Sequence, residues 1–286
     1  MEEFSPRILP LLWRRSVPAR KAVGRPPRLT IDLVVSTAIR IADAEGLEAA
    51  SMARVAAELS VATMSLYTYV PSRPELADLM VDEVFWARDL RGEGTFRERV
   101  RHYAERTFAM YRAHPWLAEV SRARPPLGPG MLAEQEYVLA AVATLGLPLR
   151  QLNPAATAIS AWVTSAARHE AESALLRRTT GLSTDEWWLQ RGELWESWFD
   201  VEAHPTMTAI WNGGAFDRGA DEQAQDAYEY GLGLLLEGIE RSAEHDGTER
   251  SAELEGIERS AEHEETEPAA ELEGIERSVE GDDRVP

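Results

Sequence analysis

Residues 51–76, SMARVAAELSVATMSLYTYVPSRPEL, leave little freedom in how they fold. Ser51 is a residue type that caps helices by accepting a bond from a backbone N–H, and Val55, Ala56 and Leu59 follow it at helical spacing. Ser60-Val61 makes a turn. A second helical stretch over 62–70 places Leu66 and Val70 four residues apart, on one face. Pro71-Ser72-Arg73-Pro74 stops it, because proline has no N–H to donate and disfavours helix in the residue before it. Two short helices at a tight turn need a third to cover their apolar stripes. Residues 30–45 supply it, with Thr30 as cap, Asp32 near the positive end, and Ile31, Val34, Val35, Ala38, Ile41 and Ala42 at i, i+3, i+4 spacing up to Gly46. The expected product is a compact three-helix head over residues 30–74.

The second short helix leaves Thr63, Ser65, Tyr67, Thr68 and Tyr69 facing outward. Hydroxyls without a charge run suit a DNA groove, where they reach base edges and phosphates. The same pattern also fits an ordinary helical hairpin with half-buried tyrosines.

A net charge of −19 over 286 residues opposes nucleic acid in sum, but the charge is unevenly placed. Residues 1–30 hold seven basic and two acidic side chains, while residues 237–286 hold 18 acidic and five basic ones. DNA affinity follows local positive potential, so the overall sign does not decide it. Residues 1–29 read as a basic, flexible arm. Its Gly24-Arg25-Pro26-Pro27-Arg28 is held extended by proline, and Arg25 can lie in a narrow minor groove; a solvated linker is the other reading.

After residue 75 the pattern stays helical: 75–90, 96–113, a short piece at 116–123, 131–145, 154–178 with Pro154 at its first position, 185–199, and 221–242. Residues 124–130, RPPLGPG, form the clearest internal loop. The sequence LEGIERS at 236–242 recurs at 254–260 and 272–278. The 18-residue spacing is about five helical turns. The later copies carry many like charges and little apolar surface, so residues 244–286 are expected to be an acidic, disordered tail. Cysteine is absent, which excludes disulfides and thiolate metal sites and is compatible with a reducing cytoplasm. No apolar run reaches the ~18 residues that span a membrane.

Catalytic patterns fail on inspection. His169-Glu170 lacks a second histidine at 173, Gly231-Leu-Gly233 follows no strand, and residues 181–185, GLSTD, lack the second glycine of a nucleophile elbow. No enzyme, cofactor or metal site is expected. A helical interaction module without DNA binding is the competing class.

With residues 59–70, LSVATMSLYTYV, followed by SRPEL at 72–76, the chain resembles the TetR family of bacterial transcriptional regulators. Two positions depart from that family's pattern: Ser60 stands where glycine is usual, and Pro71 where a basic residue is common. Residues 111–117, YRAHPWL, and 228–239, YEYGLGLLLEGI, look like the tetracycline-repressor-type C-terminal domain. The resemblance implies an all-α fold, a helix-turn-helix head over 30–74 and a helical ligand-binding and dimerisation domain over 75–243. It implies a cytoplasmic homodimer on a palindromic double-stranded DNA operator, released by a small-molecule effector, with repression as the family default. The family-matched DNA positions are Ser51, Arg54, Thr63, Met64, Ser65, Tyr67, Thr68, Tyr69 and Arg73. Candidates around an effector are Trp86, His102, Phe108, Tyr111, Trp116, Met131, Trp162, His169, Trp187 and Trp195, each also readable as plain core. Nine tryptophans suggest a roomy aromatic cavity, and an acidic body would not repel a cationic aromatic ligand.

Overall fold

The computed structural model describes residues 8–16 and 29–266, with side chains described as far as residue 245. Among these residues every regular element is helical. The first is α1, Ile8–Leu12, within the segment expected to be flexible. It is ordered by its own chemistry: Ile8 and Leu12, four apart, are both buried in the head core. Trp13 Nε1 then donates to the Leu127 carbonyl at 2.9 Å, Arg14 bonds both Asp32 and Glu83, and Arg15 bonds Glu83. The run ILPLLW carries the signal, because its apolar residues have more to gain from burial than from water. Residues 17–28, with Arg25, lie outside the described residues.

The head is α2 (Ile31–Glu45), α3 (Met52–Glu58) and α4 (Thr63–Leu66). Thr30 and Ser51 cap α2 and α3 as expected, accepting from Leu33 N and Arg54 N. Helix α4 is shorter than the 62–70 stretch read from the sequence. After Leu66 the chain tightens into a turn, in which Tyr69 N and Val70 N both bond the Leu66 carbonyl. Thr68 and Val70 are β-branched and Val70 precedes proline, so both residues resist continuing the helix. Leu66 and Val70 are nevertheless fully buried, as their spacing predicts.

Ser60 has φ +55°, the left-handed region. That conformation costs an L-residue about 1–2 kcal/mol, of which glycine's larger unfolded-state freedom would return only part. Ser60→Gly is therefore expected to raise stability by about 0.5–1 kcal/mol in urea unfolding. A lower midpoint would mean that the serine side chain contributes more than its strain costs.

Helix α5 (Arg73–Ala87) begins at the Ser72 cap and carries Leu76, Leu79, Met80, Val84 and Phe85 into the same core as the head. The head is thus rigidly continued by α5, and the expected boundary at 74/75 falls inside this helix. Helix α6 (Phe96–Ala113) opens with a Thr95–Glu98 capping box, and a 3₁₀ turn, Pro115–Glu119, follows it. Next come α7 (Pro129–Ala143) and α8 (Leu149–Thr180). Helix α8 packs on α6, α7 and the final helix α11 (Ala220–Thr266). A second core built from α6, α7, α8 and α11 lies beyond the first.

Four expectations change here. Pro154 lies inside α8 instead of opening it, leaving the Arg150 carbonyl without its helical donor; Leu152, packed on the second core, holds the preceding turn in place. The 185–199 helix is broken by a turn at Gln190-Arg191 into α9 (Thr184–Leu189) and a π turn, Leu194–Trp198. The stretch after His204 forms α10 (Pro205–Asn212), with proline at the first position, where its missing N–H is harmless. Backbone helix in α11 continues to Thr266, through the second repeat copy and into the segment expected to be disordered. Its Ala, Glu, Leu and Arg content favours helix despite the glycines. Residues 267–286 are outside the described set.

Candidate nucleic-acid interface and effector cavity

The turn unit presents one polar face. Met64 is 75% exposed and Tyr67 42%, with Ser65 and Thr68 exposed beside them and Thr63 and Tyr69 half-buried. The Ser51 oxygen is engaged as a cap, which leaves its hydrogen free to donate. Arg54 is already paired: Glu58 at 2.5 Å and Glu45 at 3.0 Å hold its charge and push the guanidinium's pKa up. Glu58 also bonds Arg40 at 2.6 Å. Residues 29–74 contain three basic and five acidic side chains, and two of the three arginines sit in this network. Arg73 is exposed and makes only a 3.4 Å bond to the Leu47 carbonyl.

Two ties join the head to the helices below. Asp43 of α2 accepts from Trp116 Nε1 at 2.7 Å and lies 2.8 Å from His114 Nδ1. On the other side, α5 meets α7 backbone to backbone. A Cβ on Gly130 would stand 2.2 Å from the Asp82 carbonyl oxygen and 2.6 Å from Trp86 N. Asp82 Oδ1 accepts from Gly130 N and Met131 N, so a carboxylate of α5 caps the start of α7. Burial pushes that carboxyl's pKa up, against the pull of those two bonds.

Between α5, α6, the 115–126 segment and α7 lies a cavity bounded by Val81, Phe85, Tyr111, Val120, Arg122 and Met131, among others. Water can enter only about 10 Å³ of it, roughly the space of a single molecule. Beside its Arg122 wall is a buried polar cluster. Arg88 bonds Glu134 at 2.9 Å and Thr107 at 2.9 Å, Tyr103 donates to Glu134 at 2.8 Å, and Arg122 reaches Glu134 at 3.3 Å. Burial and the Glu134 charge push the Tyr103 phenol up to about 12, so it stays a donor. An open groove of about 580 Å³ also runs between α6 and α11, over Phe108, Tyr228 and Leu232.

Residues 89–243, spanning most of the helices below the head, match the family of tetracyclin repressor-like C-terminal domains. The chain belongs to the TetR family. It is 39% identical to the HTH-type transcriptional repressor DrrR1 of Streptomyces coeruleorubidus, over 82% of this chain and 85% of that protein. Among solved structures it is similar to Streptomyces coelicolor ActR in complex with (S)-DNPA, with TM-score 0.60, 27% identity, and coverage of 75% of this chain and 98% of that one. ActR in complex with actinorhodin gives TM-score 0.61 and 26% identity, over 75% and 96%. As a TetR-family protein the chain is a ligand-responsive, DNA-binding transcriptional regulator.

In this TetR-family chain the ten aromatic, methionine and histidine candidates do not converge. Tyr111 and Met131 line the cavity and Phe108 lines the outer groove. Trp116 is buried but belongs to the head tie through Asp43. Trp86 is half-exposed on α5, His169 is exposed on α8, and His102 lies 6.1 Å from the Tyr137 ring. Trp162 covers Gly231 of α11 and donates to the Tyr228 carbonyl. Trp187 and Trp195 stand apart, in an aromatic cluster with Trp188, Phe199 and Trp211. Most of the aromatic surface is thus committed to packing or faces outward, and the cavity admits water to only about 10 Å³ where the tryptophan count suggested a roomy one. The residues that sequence reasoning missed are Arg88, Arg122 and Glu134. Glu134 carried a signal: it precedes Tyr137, Val138 and Ala141 at i+3, i+4 and i+7, so the apolar face of α7 contains a carboxylate.

Proposed function

We propose that the chain is a repressor that binds a palindromic operator as a homodimer and is released when a small molecule fills the cavity beneath α5. The observation that carries this reading is the position of Val81 and Phe85. They wall the narrow cavity and sit on α5, whose start carries the head. An effector larger than one water must push that wall. The push tilts α5 and with it the two heads of the dimer, which must stay about 34–36 Å apart to enter successive major grooves. ActR's complexes with (S)-DNPA and actinorhodin support an organic effector of comparable size. Dimerisation is supported by exposed apolar residues that adjoin one another, Trp162 of α8 and Tyr230 and Leu234 of α11. The protein acts on DNA in the cytoplasm and carries no catalytic step.

On the operator, Tyr67, Tyr69, Ser51 and Arg73 hold phosphates, while Thr63, Met64 and Thr68 read bases. Arg54 joins them only by giving up Glu45 or Glu58. With the head so poor in free cations, the basic segment including Arg25 supplies much of the phosphate attraction. A gel shift with DNA upstream of the protein's own gene tests the reading, and a log–log salt slope near zero would sink it. Tyr67→Phe is expected to weaken all DNA sequences about equally, by about threefold to tenfold, whereas Thr63→Ala and Met64→Ala alter sequence preference. Uniform losses from all three variants would remove this division of roles.

A further inference from the structure

The polar cluster beside the cavity holds more positive than negative charge. Arg88 and Arg122 share one carboxylate, Glu134, whose Oε1 also accepts from Tyr103. The Arg88 side chain is 1% exposed and its Nε has no partner. Arg122 meets Glu134 through a single 3.3 Å contact, yet lines the cavity with its guanidinium 5.0 Å from the Phe85 ring centre. The next buried carboxylate along α5, Asp82, is tied to the Gly130 and Met131 N–H groups. One fully buried guanidinium, Arg88, and a second, Arg122, whose side chain is 30% exposed, share one counter-charge, an arrangement that favours an anion there over a neutral group or a cation.

We propose that the effector carries an anionic oxygen group on an aromatic or otherwise apolar frame, received by Arg122 with Arg88 behind it. This rests on reading the cavity as the effector site. The apolar walls, Phe85, Tyr111 and Met131, take the frame. The anion balances the cluster, and Glu134 keeps Arg88. The two arginines thus select against the cationic ligand that the acidic body as a whole would tolerate.

The test uses the full chain and two dyes with the same rings, anionic 8-anilinonaphthalene-1-sulfonate and uncharged N-phenyl-1-naphthylamine, titrated by fluorescence. The anionic dye is expected to bind at least tenfold more tightly. Arg122→Met should weaken it about tenfold and the neutral dye far less. Equal affinities for the two dyes, or anionic binding indifferent to Arg122→Met, as at the exposed tryptophans of α9, would overturn the proposal. Should Arg122→Met not fold, competition on the unaltered protein decides: naphthalene-2-carboxylate should displace the dye at least tenfold better than naphthalene-2-carboxamide, and equal displacement refutes the idea. The operator gel shift of the same preparation separates the two readings. Retained DNA binding with no charge selectivity removes only the anionic effector, whereas salt-independent or absent DNA binding removes the regulatory reading itself.

Discussion

Glu134→Ala is expected to lower the unfolding free energy by about 3–5 kcal/mol, seen as a fall in the urea midpoint with little change in slope. The reason is the partner left behind. With the carboxylate gone, Arg88 stays 1% exposed, with only Thr107 to accept from it, and Tyr103 loses its acceptor. Replacing Arg88 and Glu134 together, as Arg88→Met with Glu134→Leu, should recover most of the loss, because two apolar side chains leave no orphaned charge. A double variant no better than the single one would show that the cluster acts through packing. Burial alone would raise the Glu134 pKa, but Arg88 and Arg122 outweigh it and hold the carboxyl below its usual range. A depressed folded-state pKa adds stability above the unfolded value of about 4.3, and that stability is lost as pH falls through the folded value. The midpoint of Glu134→Ala should therefore fall less steeply than that of the unaltered protein on acidification below about pH 4.3.

Gly130→Ala is expected to cost about 3 kcal/mol and to reduce operator affinity more than tenfold. The added carbon would meet two backbone atoms of α5, at 2.2 and 2.6 Å, and backbone cannot rotate out of the way as a side chain can. Relief requires α5 and α7 to separate by roughly 1 Å, which a close-packed interior transmits along the helix to the head. The Asp82 bonds to Gly130 N and Met131 N would stretch as well. Gly192→Ala, where nothing lies within 4 Å, is the matched control and should leave both quantities nearly unchanged. Wild-type DNA affinity in a destabilised Gly130→Ala protein would disconnect this contact from control of the head.

Legibility followed the range of the interactions. The three-helix head could be read from caps and apolar spacing, because Thr30 and Ser51 act within one turn of themselves, and α6 from its apolar spacing alone. The recognition stretch was read too long, since its end depends on several weak local preferences acting together. The order in residues 8–16 was missed because ILPLLW gains its burial from α5 and the head, far along the chain. The aromatic candidates were misleading as a group. A tryptophan's size says that it will be covered, but whether a ligand, Asp43 or Gly231 covers it is settled by neighbours distant in sequence.

By itself the sequence determined an all-helical chain with a DNA-reading head and its family, because helical periodicity and the SLYTYV motif are local properties. The tertiary structure alone decided three things. It tied the N-terminal helix to α5, made Trp116 a tether to the head, and gathered two arginines around one carboxylate beside a cavity that opens against α5. Charge totals add along the chain, but the field at a site depends on which charges folding brings within a few ångströms in a medium of low dielectric. That is how a chain with a net charge of −19 comes to set two arginines against one carboxylate beside its cavity.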